Sequence, residues 1–293
     1  MPQSQKRVAV IGLGLMGRAM STRLLEAGYT VSGYDLSDVA NAAAAELGVQ
    51  VASSAEAALP GSSHVILSLM TSQNCRDLLW GGQNLAATLS PGMVVLDTTT
   101  AGPEDIQEDY ARLFDERNVR LIDVCVSGSS QVVLEGRALA LVGDREEGAT
   151  YRDLLATFTA AQYFLGTPGR GNEAKLIVNL VFGLNRLVLA EALGLAKHAG
   201  FDLAMMLEIL RRGETYSTVM DTKGPKMLAN QYEPAVARLS QHAKDVRLIM
   251  DYATALGANV PLTKVHSTLI EQLVQAGYGD LDNAAIFKAF ETP

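Results

Sequence analysis

The spacing of apolar positions changes near the middle of the chain. Up to about residue 165 they fall in short runs, at Arg7 to Ile11, Thr30 to Tyr34, His64 to Leu69, Met93 to Asp97, Val119 to Val124 and Ala138 to Val142. Helix-like stretches lie between most of these runs, a pattern that predicts a parallel sheet with crossover helices. Beyond residue 170 the runs stop. A long helical pattern extends from Asn172 to about His198, followed by segments near 202–212, 236–256 and 262–276 with Gly, Pro and Asp breaks between them. The composition shift at GTPGRG, 166–171, is the best boundary. Residues 1–165 are therefore expected to form an α/β domain with a doubly wound sheet. Residues 166–293 are expected to form an all-α domain for substrate and oligomerisation, entered through a long interdomain helix.

The first run leads into GLGLMG, which places Gly12, Gly14 and Gly17 at a strand-to-helix turn. In that spacing the first glycine permits the tight turn, the second lets backbone approach a pyrophosphate, and the third packs helix on strand. The amides of Leu13, Leu15 and Met16 complete an anion-facing helix N-terminus. A GxGxxG alone is weak, but here a strand precedes it, a helix follows, and Asp35 ends the next strand about 20 residues on. This context predicts a Rossmann-type dinucleotide site. Asp35 can accept hydrogen bonds from a ribose 2′-hydroxyl and would repel a 2′-phosphate. Asp38 adds a second negative charge, and no Lys or Arg occurs from Asp35 through Gln50. NAD is expected rather than NADP.

Composition narrows the partners. The 293 residues are 48% hydrophobic and 19% charged, as in ordinary globular proteins, and the formal net charge of −8 argues against nucleic acid or an anionic membrane surface. Cys75 and Cys125 are too few for a disulfide framework or a CxxC metal site and are expected to be buried thiols. The leader MPQSQK shows no export signal, so a cytoplasmic location is expected. His64, His198, His242 and His266 show no metal-ligand spacing, and no metal site is expected; each reads as structural or solvent-facing, with a second reading for His242, two residues before Lys244, at the border of the active site. Trp80, before Gly81-Gly82, reads as a turn anchor, and Arg186 as a structural residue that pairs with Glu191 or sits at the domain junction.

Within GRGNEAKLIVNLVFGLN, 169–185, Lys175 and Asn179 share one helical face while Leu176, Ile177, Val178, Leu180 and Val181 make the other faces apolar. A helix apolar all round is normally buried, and a buried ammonium has its pKa lowered towards the range of a general acid/base. The competing reading puts the lysine head in water at the first turn. Asn179, Asn185 and Arg186 interrupt the apolar stretch, which is expected to fall short of a bilayer span of about 20 residues. Its excess apolar surface predicts burial in a homodimer or homotetramer.

At these residues the chain resembles the β-hydroxyacid dehydrogenase family, which includes 3-hydroxyisobutyrate dehydrogenase and tartronate semialdehyde reductase. The resemblance covers nearly the whole chain and rests on VAVIGLGLMGRAM, DVCVSGSS, GTPGRGNEAKLIVN and AKDVRLIMD in that order. It implies that GLGLMG binds the dinucleotide, with Leu69, Met70, Thr71 and Thr100 near the nicotinamide ribose. By the same resemblance Ser127 and Gly128, with Ser129 beside them, grip the substrate. Lys175 is the general acid/base, Asn179 holds the substrate, and Lys244 reaches the cofactor, with the active site in the cleft between the domains. The implied reaction passes a hydride between nicotinamide and a short 3-hydroxy acid or semialdehyde. Cys125 and Ser129 depart from the family's DAPVSGG, Val178 stands where asparagine is common, and Met70 where proline is common. These departures bear on the substrate, and Ser129-Ser130 could suit a more oxygenated acid. Rival readings are a reductase of a related or sulfonated aldehyde, an imine reductase, against which Lys175 counts, and a catalytically silent NAD-binding regulator. A Cys125 nucleophile is disfavoured, because hydride transfer needs no covalent intermediate.

Overall fold

The computed structural model describes residues 6–145 and 150–291; the first five residues of the polar leader lie outside them. The chain divides into two compact units, Met1–Lys175 and Leu176–Pro293.

The first unit is built on strands β1 (Arg7–Ile11), β2 (Thr30–Tyr34), β3 (Gln50–Val51), β4 (His64–Leu67), β5 (Val94–Asp97), β6 (Arg120–Ser127), β7 (Ala138–Val142) and β8 (Thr159–Phe164). Helices α1 (Leu15–Glu26), α2 (Asp38–Glu46), α3 (Ser72–Trp80), α4 (Pro103–Arg117), α5 (Ser130–Leu134) and α6 (Arg152–Leu155) lie between them. The strands form one sheet in the order β3-β2-β1-β4-β5-β6-β7-β8. All pairings are parallel except β6 with β7, which is antiparallel. Side chains alternate between two cores. Val8, Val10, Ile66, Leu96, Ile122 and Val124 enter one, and Ala9, Ile11, Val65, Leu67, Val95 and Leu121 the other. A strand buried on both faces shows a continuous apolar run, which is why these strands stand out in the sequence. β3 and β8 do not. β3 is a two-residue exposed edge, and β8, TAAQYF, carries polar and small residues without an apolar run.

The order β3-β2-β1-β4-β5-β6 reverses between β1 and β4, so the turn after β1 and the loop after β4 flank the switch point. Ligands of doubly wound sheets bind outside the strand C-termini there.

In the helical portion, α7 (Arg170–His198) is followed by α8 (Leu203–Arg212), α9 (Thr218–Thr222), α10 (Gly224–Ala229), α11 (Leu239–Ala255) and α12 (Pro261–Leu273). Asp202 caps α8 by accepting from Met205 N at 2.7 Å. Leu187, Leu189, Ala190 and Leu193 of α7 pack with Leu207, Met220, Val246, Ile270 and Phe287 in the core of the second unit. Asp282, fully buried, ties this unit together by accepting from Lys223 at 2.8 Å, Lys226 at 3.1 Å and Val236 N at 2.9 Å.

α7 carries the excess apolar surface read from the sequence: Ile177 is 58% exposed, Val181 53%, Val188 61% and Leu195 73%. One expectation about it is corrected: its asparagines do not disqualify it as a span, since by length and composition alone it could cross a membrane, its best window having a mean hydropathy of 1.7. Core packing of its C-terminal half and the burial of Arg186 on it favour the core-helix reading of that composition.

His242 on α11 and His266 on α12 are buried, with ring centroids 5.1 Å apart. Burial, with the Arg186 charge adding to it, lowers the pKa of His266 to about 4 and that of His242 well below the usual imidazole value; His266 and Lys223 lower His242 further. Below the unfolded value of about 6.5 the unfolded chain takes up protons that the folded rings refuse. Their contribution to stability is therefore complete above about pH 6.5 and is lost as pH falls towards 4, by up to about 1.4 kcal/mol per pH unit for each ring. In chloride buffer, the gap in urea midpoint between wild type and His266→Leu is expected to narrow from pH 7 to pH 5. A constant gap would contradict this.

Candidate functional site

Backbone sterics dictate the turn between β1 and α1. Gly12 has φ +96°, and a Cβ there would lie 2.3 Å from Ser68 O and 3.1 Å from Leu69 Cδ2, so this turn and the loop after β4 are in contact. A Cβ on Gly17 would lie 1.9 Å from Gly12 O, and only glycine lets the helix close on the strand. At Gly14 an added Cβ meets nothing within 4 Å. The fold itself thus places no demand on Gly14, and its openness leaves room beside the helix start. Gly14 is the N-cap of α1, which has no side-chain cap and no acidic residue in its first turn. The amides of Leu15, Met16 and Gly17 at such an end favour an anion.

Asp35 is joined to this turn directly. Its Oδ2 accepts from Leu13 N at 2.7 Å and its Oδ1 from Ser37 N at 2.8 Å. Asn41 clamps its backbone on both sides, accepting from Asp35 N and donating to Asp35 O. A carboxylate has about four acceptor positions, so two backbone donors leave capacity for a ribose. These residues fit a dinucleotide.

Met70 is 61% exposed after β4. Thr71 caps α3, its Oγ1 accepting from Asn74 N at 3.1 Å, so its hydroxyl has a structural task that the sequence reading did not give it. Thr100 follows a buried network at the end of β5. There Asp97 accepts from Thr99 N at 2.9 Å, and Cys75 Sγ lies 3.3 Å from Thr99 Oγ1. Burial pushes Asp97 up to about 6 against the opposing hydrogen bonds from Thr99 and Cys75. Burial, with Asp97 beside it, raises the Cys75 thiol well above its usual value. Both cysteines are buried thiols outside any disulfide, as the sequence suggested.

Lys175 is positioned by residues absent from the sequence reading. Asp123, wholly buried in β6, accepts from Gly169 N and Asn172 N, each at 2.9 Å, and so caps the start of α7. Asn172 Oδ1 accepts from Ala101 N at 2.8 Å, pinning the same turn to the segment carrying Thr100. A Cβ on Gly171 would lie 2.5 Å from Leu141 O, so glycine is what lets α7 start this close to the sheet. One turn later the Lys175 ammonium donates to Val126 O at 2.8 Å. Lys175 is half-buried, not sealed in as the all-apolar helix suggested, and its head is anchored one residue from Ser127.

Ser127 ends β6, and Gly128 and Ser129 follow as exposed residues. A Cβ on Gly128 would lie 2.9 Å from Val132 Cγ1. Ser129 is the N-cap of α5, its Oγ accepting from Val132 N at 3.4 Å. The serine that departs from the usual motif is thus partly occupied with capping.

In the second unit, Asn179 Nδ2 donates to Asp245 Oδ2 at 3.2 Å, and the Lys244 ammonium lies 3.0 Å from Asp245 Oδ1. Asp245 joins the two candidates of that unit. Arg186 is buried, and Phe182 lies under its guanidinium at 5.8 Å from the ring centroid. Trp80 closes α3 beneath the Arg112 guanidinium, 3.9 Å from its ring. Among the described residues no His, Cys, Asp and Glu cluster could hold a metal ion.

The comparisons with known proteins run the length of the chain. A family model described as the NAD binding domain of 6-phosphogluconate dehydrogenase matches residues 7–166. A second, described as NAD-binding of NADP-dependent 3-hydroxyisobutyrate dehydrogenase, matches residues 169–290. The NAD-dependent L-serine dehydrogenase of Pseudomonas aeruginosa is 29% identical, over 98% of this chain and 98% of its own. A 3-hydroxyisobutyrate dehydrogenase from Salmonella typhimurium superposes with a TM-score of 0.89 at 27% identity, over 96% of this chain and 99% of its own. The 3-hydroxyisobutyrate dehydrogenase of Mycobacterium tuberculosis, solved with L-serine, gives a TM-score of 0.85 at 26% identity, over 98% and 100%.

Proposed function

Because the chain belongs to the β-hydroxyacid dehydrogenase family, we propose that it oxidises a short 3-hydroxy acid, or reduces the matching semialdehyde, with Lys175 as general acid/base. It is an NAD(P)-dependent oxidoreductase acting on a CH–OH group. Its substrate class is proposed from relatives, one an L-serine dehydrogenase and one solved with L-serine. L-serine is itself a 3-hydroxy acid and is the first compound to test. The observation that carries the reading is the Lys175 ammonium held 2.8 Å from Val126 O, next to Ser127 and Gly128.

Each group has a task suited to its chemistry. Gly12 to Gly17, Asp35, the 69–71 loop, Thr100 and Lys244 would hold the dinucleotide, which when bound accepts or returns the hydride. Ser127 and the amides around Gly128 supply neutral donors to a carboxylate, so no second cation competes with Lys175 there. The lysine removes the hydroxyl proton in one direction and donates to the developing oxyanion in the other. Its bond to the Val126 carbonyl fixes the head beside Ser127 and Gly128. Asn179, steadied by Asp245, is proposed to orient the substrate. The same groups serve aldehyde reduction, so the direction follows from supply of substrate.

The cofactor is proposed to be NAD. Asp35→Ala is expected to raise the NAD dissociation constant by about tenfold or more, as for loss of a hydrogen bond to a charged group. NADP binding should weaken less, because it loses only the brace on Leu13 and Ser37. Fluorescence titration with both dinucleotides reads this, and equal changes would refute the assignment.

A homodimer or homotetramer is proposed, supported by the exposed Ile177, Val181, Val188 and Leu195 along α7. A cytoplasmic location is proposed in keeping with two buried cysteines that form no disulfide. The test of the whole reading is a spectrophotometric screen for NADH and NADPH change across short 3-hydroxy acids and semialdehydes, including L-serine. No turnover on any of them would leave a dinucleotide-binding protein without this catalysis.

A further inference from the structure

The second unit contains a buried polar cluster that the proposed reaction does not use. On α7, Gly183 and Arg186 stand at i and i+3 and share a face. A Cβ on Gly183 would lie 3.0 Å from ring atoms of both His242 and His266, so glycine admits both rings against the helix. Thr263 precedes His266 by one turn on α12. Arg186 is 1% exposed, His266 1%, Thr263 2% and His242 7%.

Arg186 Nε and Nη2, His242 Nε2, His266 Nε2 and Thr263 Oγ1 are all buried with no hydrogen-bond partner among the described residues. Such groups are rare in folded proteins, and each calls for a partner. Nε and Nη2 form one edge of the guanidinium, the fork that matches two oxygens of a carboxylate. The imidazole Nε2 atoms and the threonine hydroxyl can donate to the remaining lone pairs.

Charge points the same way. The acidic groups that act on Arg186 are Asp282 and Asp245. Asp282 already holds Lys223 and Lys226, and Asp245 holds Asn179 and Lys244. Neither carboxylate is hydrogen-bonded to the Arg186 Nε or Nη2, and Asp245 Oδ1 is itself without a hydrogen-bond partner among the described residues. At neutral pH the guanidinium stays charged even though burial lowers its pKa to about 10. A buried cation in such surroundings is costly without an anion.

We propose that Arg186, His242, His266 and Thr263 bind a small carboxylate-type oxyanion within the helical unit. None of the four has a part in the reaction proposed above, and the site stands or falls apart from it. Thermal unfolding of the full chain in sodium formate is compared with sodium chloride at equal concentration and pH 7.5. The midpoint in formate is expected to be higher by roughly 2–4 °C at ten times the dissociation constant. The gain should persist in Ser127→Ala, vanish in Arg186→Met and fall by more than half in Thr263→Val, whose near-isosteric change carries the test if the methionine variant does not fold. Equal midpoints in the two salts would overturn the proposal, as would a formate gain that survives both the Arg186 and Thr263 changes. A gain abolished by Ser127→Ala would instead assign the anion to the substrate's carboxylate grip and would equally overturn it.

Discussion

Lys175→Ala is expected to lower turnover by at least about a hundredfold, the usual loss when a general acid/base is removed. Dinucleotide affinity should be nearly unchanged, since Asp35 braces the glycine-rich turn through Leu13 N. The alcohol carbon can give up hydride only as its hydroxyl proton leaves. Without the amine that proton must go to water, and the developing charge on oxygen loses its nearest cation. The Lys175 ammonium donates to the Val126 carbonyl, an acceptor that water can satisfy after truncation, and the fold should hold. The measurement is steady-state turnover on the best substrate of the screen, beside NADH binding by fluorescence. A variant that keeps most of its turnover would remove Lys175 from the mechanism. One that loses binding in parallel would make it structural.

Local signals carried much of the architecture. Strands buried on both faces appear as apolar runs, and β1, β2 and β7 have the limits their runs predict. Gly12 and Gly17 were legible because their roles are steric and local. What escaped was set by contacts distant in sequence. The exposed edge β3 pairs through its backbone with β2, and pairing of that kind leaves no apolar mark. Asp123 looks like a polar end to a strand until α7, some 46 to 49 residues later, brings its amides to the carboxylate. Arg186, His242 and His266 each suit a surface when seen singly, and only the packing of three helices shows them buried together. The exposed Ile177, Val181, Val188 and Leu195 of α7 were legible as apolar composition in excess of what one small domain covers.

Asp123 is expected to govern turnover without touching substrate. Its carboxylate holds Gly169 N and Asn172 N, so Asp123→Ala leaves two buried donors at the start of α7 without an acceptor, each costing roughly 1–3 kcal/mol. Relief from burying a carboxylate offsets part of this. Burial already raises its pKa against the amides of Gly169 and Asn172. A net loss of about 2–4 kcal/mol is expected in a urea titration. The first turn of α7 would then shift relative to β6, taking Lys175 with it, and a displacement near 1 Å can cost about a hundredfold in rate. Turnover should therefore fall by roughly ten- to a hundredfold, while NAD affinity changes little. Asp123→Asn keeps one carbonyl oxygen but turns an amide group towards an N–H, and should recover only part of both losses. The decisive comparison is made in the Lys175→Ala background. If Asp123 acts by aiming the lysine, removing it there should cost stability but no further turnover. An undiminished fall in rate in the double variant would mean that Asp123 acts on the reaction by some other route.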